Sequence, residues 1–134
     1  MGAQINDLLV SSRAVLAQSA HRFDADLQPA AFQIAQWLAM HGPANASRVA
    51  DALGMDKSAI SRLAKSLSAL RILRSAPDPD DKRGVIHEIT PQGRERVAVA
   101  NQAKTTAFLD KLAGWGTDDL AVFTRLLARF NTRA

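Results

Sequence analysis

Lys57, Ser58, Ser61, Arg62 and Lys65 recur at intervals that gather them on one side of a helix. They supply donors of two lengths. Arg62 and Lys65 are long enough to reach guanine acceptors or phosphate oxygens. Ser58 and Ser61 are short enough to let a helix approach closely, and they bond to either. A second polar group, Asp81, Lys82 and Arg83, lies in the run PDPDDKR. An arginine projecting from such a tip fits a narrow minor groove, where negative potential is concentrated. Asp81 would weaken contact with phosphate, so it is read as a buttress that holds Arg83 or caps the turn. The chemistry on offer is recognition of a polyanion. A solvated helix face and a mobile charged loop would show the same residues in isolation, so the surrounding elements must decide.

Covalent and metal chemistry is poorly supplied. His21, His41 and His87 fall in different segments, without metal-ligand spacing, and the chain has no cysteine. No glycine-rich phosphate loop is present, and Ser, His and Asp are scattered without a nucleophile motif. An enzyme is not expected, and neither a metal nor a cofactor is. The histidines read as local hydrogen-bonding residues, with an anionic ligand site around His21, Arg13 and Arg22 as the alternative. Trp37 and Trp115 read as core residues.

The elements that would position the two cationic groups form a mainly α chain with one small β-hairpin, an α+β winged helix-turn-helix. Ile5, Leu8, Leu9, Val15 and Leu16 predict an amphipathic helix ending near Arg22. Pro29 opens a second helix, stopped by His41-Gly42-Pro43. Asn45 caps a short helix over residues 47–53, which Gly54 terminates. Asp56 caps a longer one to about Leu70, with Ile60, Leu63, Leu67 and Leu70 as its buried stripe. Ala50 is small where these two helices cross, and Val49 and Leu53 meet Ile60 and Leu63. The runs ILRSA and GVIHEI then flank PDPDDKR as a hairpin with a long tip. Pro91 opens a helix continuing to Gly114, and Thr117 caps the last helix, lined by Leu120, Phe123, Leu127 and Phe130.

With 134 residues and 47% hydrophobic content, one domain is expected over residues 1–134. Within it, residues 29–93 read as the DNA-binding part, and residues 1–28 and 94–134 as dimerisation helices. The net charge is +4, but it is uneven: −1 over residues 1–44, +3 over 45–94 and +2 thereafter. The basic middle coincides with the helix-turn-helix. The absence of cysteine suits a reducing cytoplasm, and no signal peptide or membrane span is legible.

Taken together, these residues resemble the MarR family of bacterial transcription regulators over nearly the whole chain. The most specific part is DKRGVIHEITPQG, Asp81 to Gly93, which looks like that family's Asp-x-Arg followed by Leu/Ile-Thr-x-x-Gly. The resemblance implies a homodimeric repressor, relieved by a small and often aromatic ligand, bound to double-stranded DNA at a pseudo-palindromic operator. It implies Arg83 as the minor-groove arginine, Asp81 as its support, and Ser58, Ser61, Arg62 and Lys65 as recognition-helix contacts, to which the residue pattern itself adds Lys57 and Lys82 as DNA-binding candidates. Ser47 is implied as a phosphate contact. Arg71 stands where the family carries glycine; a side chain resists the left-handed conformation, so a differently shaped helix end and a re-aimed wing are expected. The missing cysteine excludes the peroxide-sensing mechanism. The rival reading is a winged helix for protein contact without DNA, and a weaker third is a ligand-storing or enzymatic helical bundle.

Overall fold

A computed structural model describes residues 1–132. Its elements are α1 (Gly2–Phe23), α2 (Pro29–His41), β1 (Ala44–Asn45), α3 (Ala46–Leu53), α4 (Lys57–Ala69), β2 (Leu73–Asp78), β3 (Asp81–Ile89), α5 (Pro91–Lys111) and α6 (Thr117–Asn131). The three strands form an antiparallel sheet in the order β1-β3-β2. This is the winged helix-turn-helix expected of the sequence, with a two-residue strand added at the near edge. The chain divides into two compact units, Met1–Lys104 and Thr105 onward.

In the first unit, Phe23, Phe32, Ile34, Leu38, Val49, Ile60, Leu67 and Ile72 are almost fully buried. Burying each such side chain contributes roughly 1.5–3 kcal/mol, so this cluster stabilises α2, α3 and α4, which share it. Arg96 closes its edge: one guanidinium nitrogen donates to the Phe23 carbonyl at 2.7 Å and to Asp24 Oδ2 at 3.1 Å. The half of α1 before Ser11 contributes nothing to this core, and Ile5, Leu8, Leu9 and Val10 are exposed.

Three local readings are corrected. Leu70 leaves the buried stripe and is 39% exposed, because α4 ends at Ala69 and the chain turns there. Thr117 is the first residue of α6, not its cap; Gly116 holds that place. The hairpin has a tight tip rather than a long one. β2 continues through Pro77 to Asp78 and β3 begins at Asp81, leaving Pro79 and Asp80 to turn, with Asp78 Oδ1 accepting from the Asp80 amide at 2.9 Å. β2 is an edge strand, so a proline without an N–H is tolerated in it.

The second unit contains the end of α5 and α6. No residue of α6 is buried, and Val122, Phe123, Leu126, Leu127 and Phe130 are all exposed. Trp115, expected in a core, is 43% exposed and packs its ring edge-on against Phe123 at 5.4 Å.

Candidate nucleic-acid interface

Two caps bound α3, the helix that leads into α4. Asn45 Oδ1 accepts from the Arg48 amide at 2.9 Å and opens α3. Gly54 ends that helix at φ 66°, a conformation a side chain would oppose. Asp56 does precede α4, but its contribution is its carbonyl, which accepts from the Ile60 amide at 3.1 Å; its side chain makes no capping bond.

The end of α4 departs from expectation. Arg71 adopts the left-handed conformation at φ 61°. Its amide donates to the Ser68 carbonyl at 3.0 Å, and the Ile72 amide donates to the Leu67 carbonyl at 3.0 Å, with Ile72 and Leu67 both buried. This is a complete Schellman turn. The turn that glycine would make is therefore retained, and the expected reshaping of the helix end does not occur. What holds Arg71 in a conformation costing about 1–2 kcal/mol is the joint beyond it. The Thr90 hydroxyl shares its one proton between the carbonyls of Arg71 (2.6 Å) and Ile72 (3.0 Å), while the Thr90 amide donates to Ile72 (3.0 Å). The same hydroxyl oxygen accepts from the Gly93 amide at 3.0 Å. A Cβ on Gly93 would lie 2.3 Å from the Ile72 carbonyl oxygen. The segment Ile89-Thr90-Pro91-Gln92-Gly93 is thus the knot that ties the recognition helix and the strands of the hairpin to the start of α5.

Between α4 and the hairpin lies an open groove of about 520 Å³. Ser47, Lys57, Ser61, Lys65, Asp81 and Arg83 line it, so six of the nine residues singled out from sequence are brought together. Ser58 and Arg62 are exposed on α4 outside it, turned about 100° per residue away from Lys57 and Ser61. Lys82 is exposed on the hairpin and does not line the groove. Lys82 and Arg83 belong to β3 itself rather than to a free loop. Asp81 acts on the backbone: its Oδ1 accepts from the Arg83 amide at 3.0 Å, which fixes the strand where the guanidinium departs.

The groove also holds residues that spacing did not reveal. Asn45, Ser68, Ser75 and His87 line it, and His87 Nδ1 shares a 2.8 Å hydrogen bond with Ser75 Oγ. Burial keeps the His87 imidazole below the ordinary histidine pKa of 6.5. At the hairpin base, Arg74 and Glu88 pair at 3.0 Å, which lowers the Glu88 pKa and raises that of Arg74. The pair is exposed and contributes little to stability. Arg13 lines a cleft with Phe32, and Arg22 lines another with Phe23 and Arg96. Among the described residues no group of three His, Asp or Glu is placed to hold a metal ion, and no helix is long and apolar enough to cross a membrane.

Residues 25–84 match the MarR family model. The uncharacterized HTH-type transcriptional regulator YxaD of Bacillus subtilis is 27% identical over 119 residues, covering 89% of this chain and 83% of that protein. In fold, wild-type apo MarR of E. coli aligns with a TM-score of 0.81 at 19% identity, over 98% of this chain and 96% of that one. RV1404 of Mycobacterium tuberculosis aligns at 0.76 with 25% identity, over 97% and 91%. BpsR of Bordetella bronchiseptica, whose DNA binding is regulated by 6-hydroxynicotinic acid, aligns at 0.73 with 21% identity, over 100% and 94%. The matched segment is similar to the MarR family, and the fold is that of winged helix-turn-helix proteins of that kind.

Proposed function

We propose that this chain is a sequence-specific double-stranded DNA-binding transcriptional regulator that works as a homodimer, repressing until a small ligand releases it. The observation that carries the reading is the convergence of Lys57, Ser61 and Lys65 with Arg83 on one groove, beside the outward Ser58 and Arg62. α4 then enters a major groove, with Ser58, Ser61, Arg62 and Lys65 toward base edges and phosphates, and Lys57 and Ser47 toward phosphates. Arg83 reaches the flanking minor groove, supported by Asp81, with Lys82 beside it.

Dimerisation is supported by apolar faces that one copy leaves open: Ile5, Leu8 and Leu9 on α1, and Phe123, Leu127 and Phe130 on α6. A second copy would cover them and set two recognition helices ~34–36 Å apart on a pseudo-palindrome. In this reading residues 29–93 bind DNA, and residues 1–28 and 94–134 carry the dimer contacts, the last two of these lying outside the described residues. The effector reading is supported by BpsR, which answers to an aromatic carboxylate, and by a cleft of about 220 Å³ between α1 and α2 where Arg13 offers a cation beside Phe32.

Selection of bound duplexes from a random pool at controlled salt tests the proposal, because sequence preference and half-site spacing emerge together. Arg62→Ala and Arg83→Ala are expected to weaken binding to the selected duplex. Log affinity should fall against log salt with a slope of about −0.9 per neutralised phosphate. A flat salt response, or variants that bind as the parent does, would overturn the proposal in favour of protein contact.

A further inference from the structure

The floor of the groove holds a side chain that the reading above leaves unused. Alternate residues of β3 lead out of the core: Ile89 is buried, His87 is 9% exposed, Val85 is 45% exposed and Arg83 is open to solvent. His87 sits mid-sheet, facing Ala44 on β1 and Ser75 on β2. Its Nδ1 is engaged by Ser75, while no protein group among the described residues bonds Nε2. Yet no sealed side-chain polar atom lacks a partner, so Nε2 is not sealed. The space that His87 lines is the groove between α4 and the hairpin.

In the tautomer that carries its proton on Nε2, the Ser75 hydroxyl donates to Nδ1 and Nε2 is a free donor. The charged groups facing the groove are Lys57 and Lys65 from α4 and Arg83 and Asp81 from β3. β1 and the start of α3 present uncharged Asn45, Ala46 and Ser47, and β2 presents Ser75. Three cations against one carboxylate attract an anion.

We propose that His87 is a further DNA contact, donating from Nε2 to a backbone phosphate lodged in this groove, and that binding there draws a proton onto the ring so that DNA affinity rises with acidity. The proposal rests on the DNA-binding reading. In the free protein, burial disfavours the charged ring. A phosphate oxygen at hydrogen-bond distance reverses the balance, because it favours the charged form. The Ser75 hydroxyl can turn from donor to acceptor, so its bond to Nδ1 survives protonation. The ring's pKa is then higher in the complex than in the free protein. The extra affinity is complete below the free value and disappears as pH rises through the bound value.

The test is fluorescence anisotropy of full-length protein on a selected operator-length duplex, from about pH 5.5 to about pH 8 at fixed salt. The parent is expected to tighten as pH falls. His87→Phe should lose most of this slope and should bind about ten-fold more weakly at low pH. His87→Gln, which donates without titrating, should keep most of the neutral-pH affinity and lose the slope. Circular dichroism and urea midpoints show whether each variant is folded. In the parent, the NMR-detected pKa of the His87 ring should rise when duplex is added. Variants that keep the parent's slope, or a ring pKa unmoved by duplex, overturn this inference with the DNA-binding reading intact. A parent that binds no duplex at any pH overturns the DNA-binding reading itself.

Discussion

Replacing Gly93 by alanine should destabilise this protein by about 1–2 kcal/mol, although alanine is the better helix former. The added Cβ would stand 2.3 Å from the Ile72 carbonyl oxygen and 2.9 Å from Ile89 Cγ1, far inside the 3.4 Å at which ordinary contact begins. The carbonyl cannot yield cheaply, since it accepts from both the Thr90 amide and the Thr90 hydroxyl, each at 3.0 Å. Relief requires either breaking those bonds, at roughly 1 kcal/mol each, or displacing the first turn of α5, with overpacking strain of about 1–3 kcal/mol. Alanine offsets up to about 1 kcal/mol of this through helix propensity and a less disordered unfolded chain. Urea unfolding followed by circular dichroism should show an earlier midpoint with an unchanged slope. Gly84→Ala is the control, because its nearest neighbour, Asp78 Cβ, lies at 3.3 Å and little must move. If Gly93→Ala unfolds at the parent's midpoint or later, the account of the knot at Thr90 is wrong.

Other consequences follow from the same structure. Arg71→Gly should stabilise by up to about 1 kcal/mol, the relief of a left-handed side chain being partly offset by a more flexible unfolded state; a loss of thermal stability would contradict it. Asn45→Ala should cost about 1 kcal/mol by freeing the Arg48 amide, read as a lower urea midpoint, whereas Asn45→Asp should retain most of the cap. His87 titrates below 6.5 when folded and near 6.5 when unfolded, so the unfolded chain takes up the proton first. Stability should therefore be full above 6.5 and fall as pH drops through the folded value. His87→Phe should reduce the difference between urea midpoints at about pH 7.5 and about pH 5.5.

The helix-turn-helix was legible because its signals are local. Asn45, Gly54 and the periodicity of Val49, Ile60 and Leu63 each act within a few residues of themselves. The hairpin was legible in place but not in length. Pro77 reads as loop, and only the knowledge that β2 is an edge strand makes it a strand residue paired with Val85. β1, two residues long, has no pattern to read; it exists because β3 passes beside Ala44 and Asn45. Leu70 continued a correct period past the real end of its helix, since periodicity marks a face and not a terminus. Arg71 misled because local preference was outweighed by bonds to Thr90, nineteen positions away. The groove combined both cases: Lys57, Ser61 and Lys65 could be read from helical spacing, but the meeting of His87 with Ser75 depends on strand register.

The knot at Thr90 also sets how movement passes through the first unit. Three segments meet at the carbonyls of Arg71 and Ile72, and four hydrogen bonds brace them around a glycine with no spare room. Mechanically this is a welded corner, and it behaves as a load path. A push on the first turn of α5 is delivered to the C-terminal end of α4 without slack, so the recognition helix and the root of the wing tilt as one piece. The outer hairpin, beyond the register shift at Pro77 and Asp78, lies outside this brace and is held at Arg83 by the Asp81 carboxylate instead.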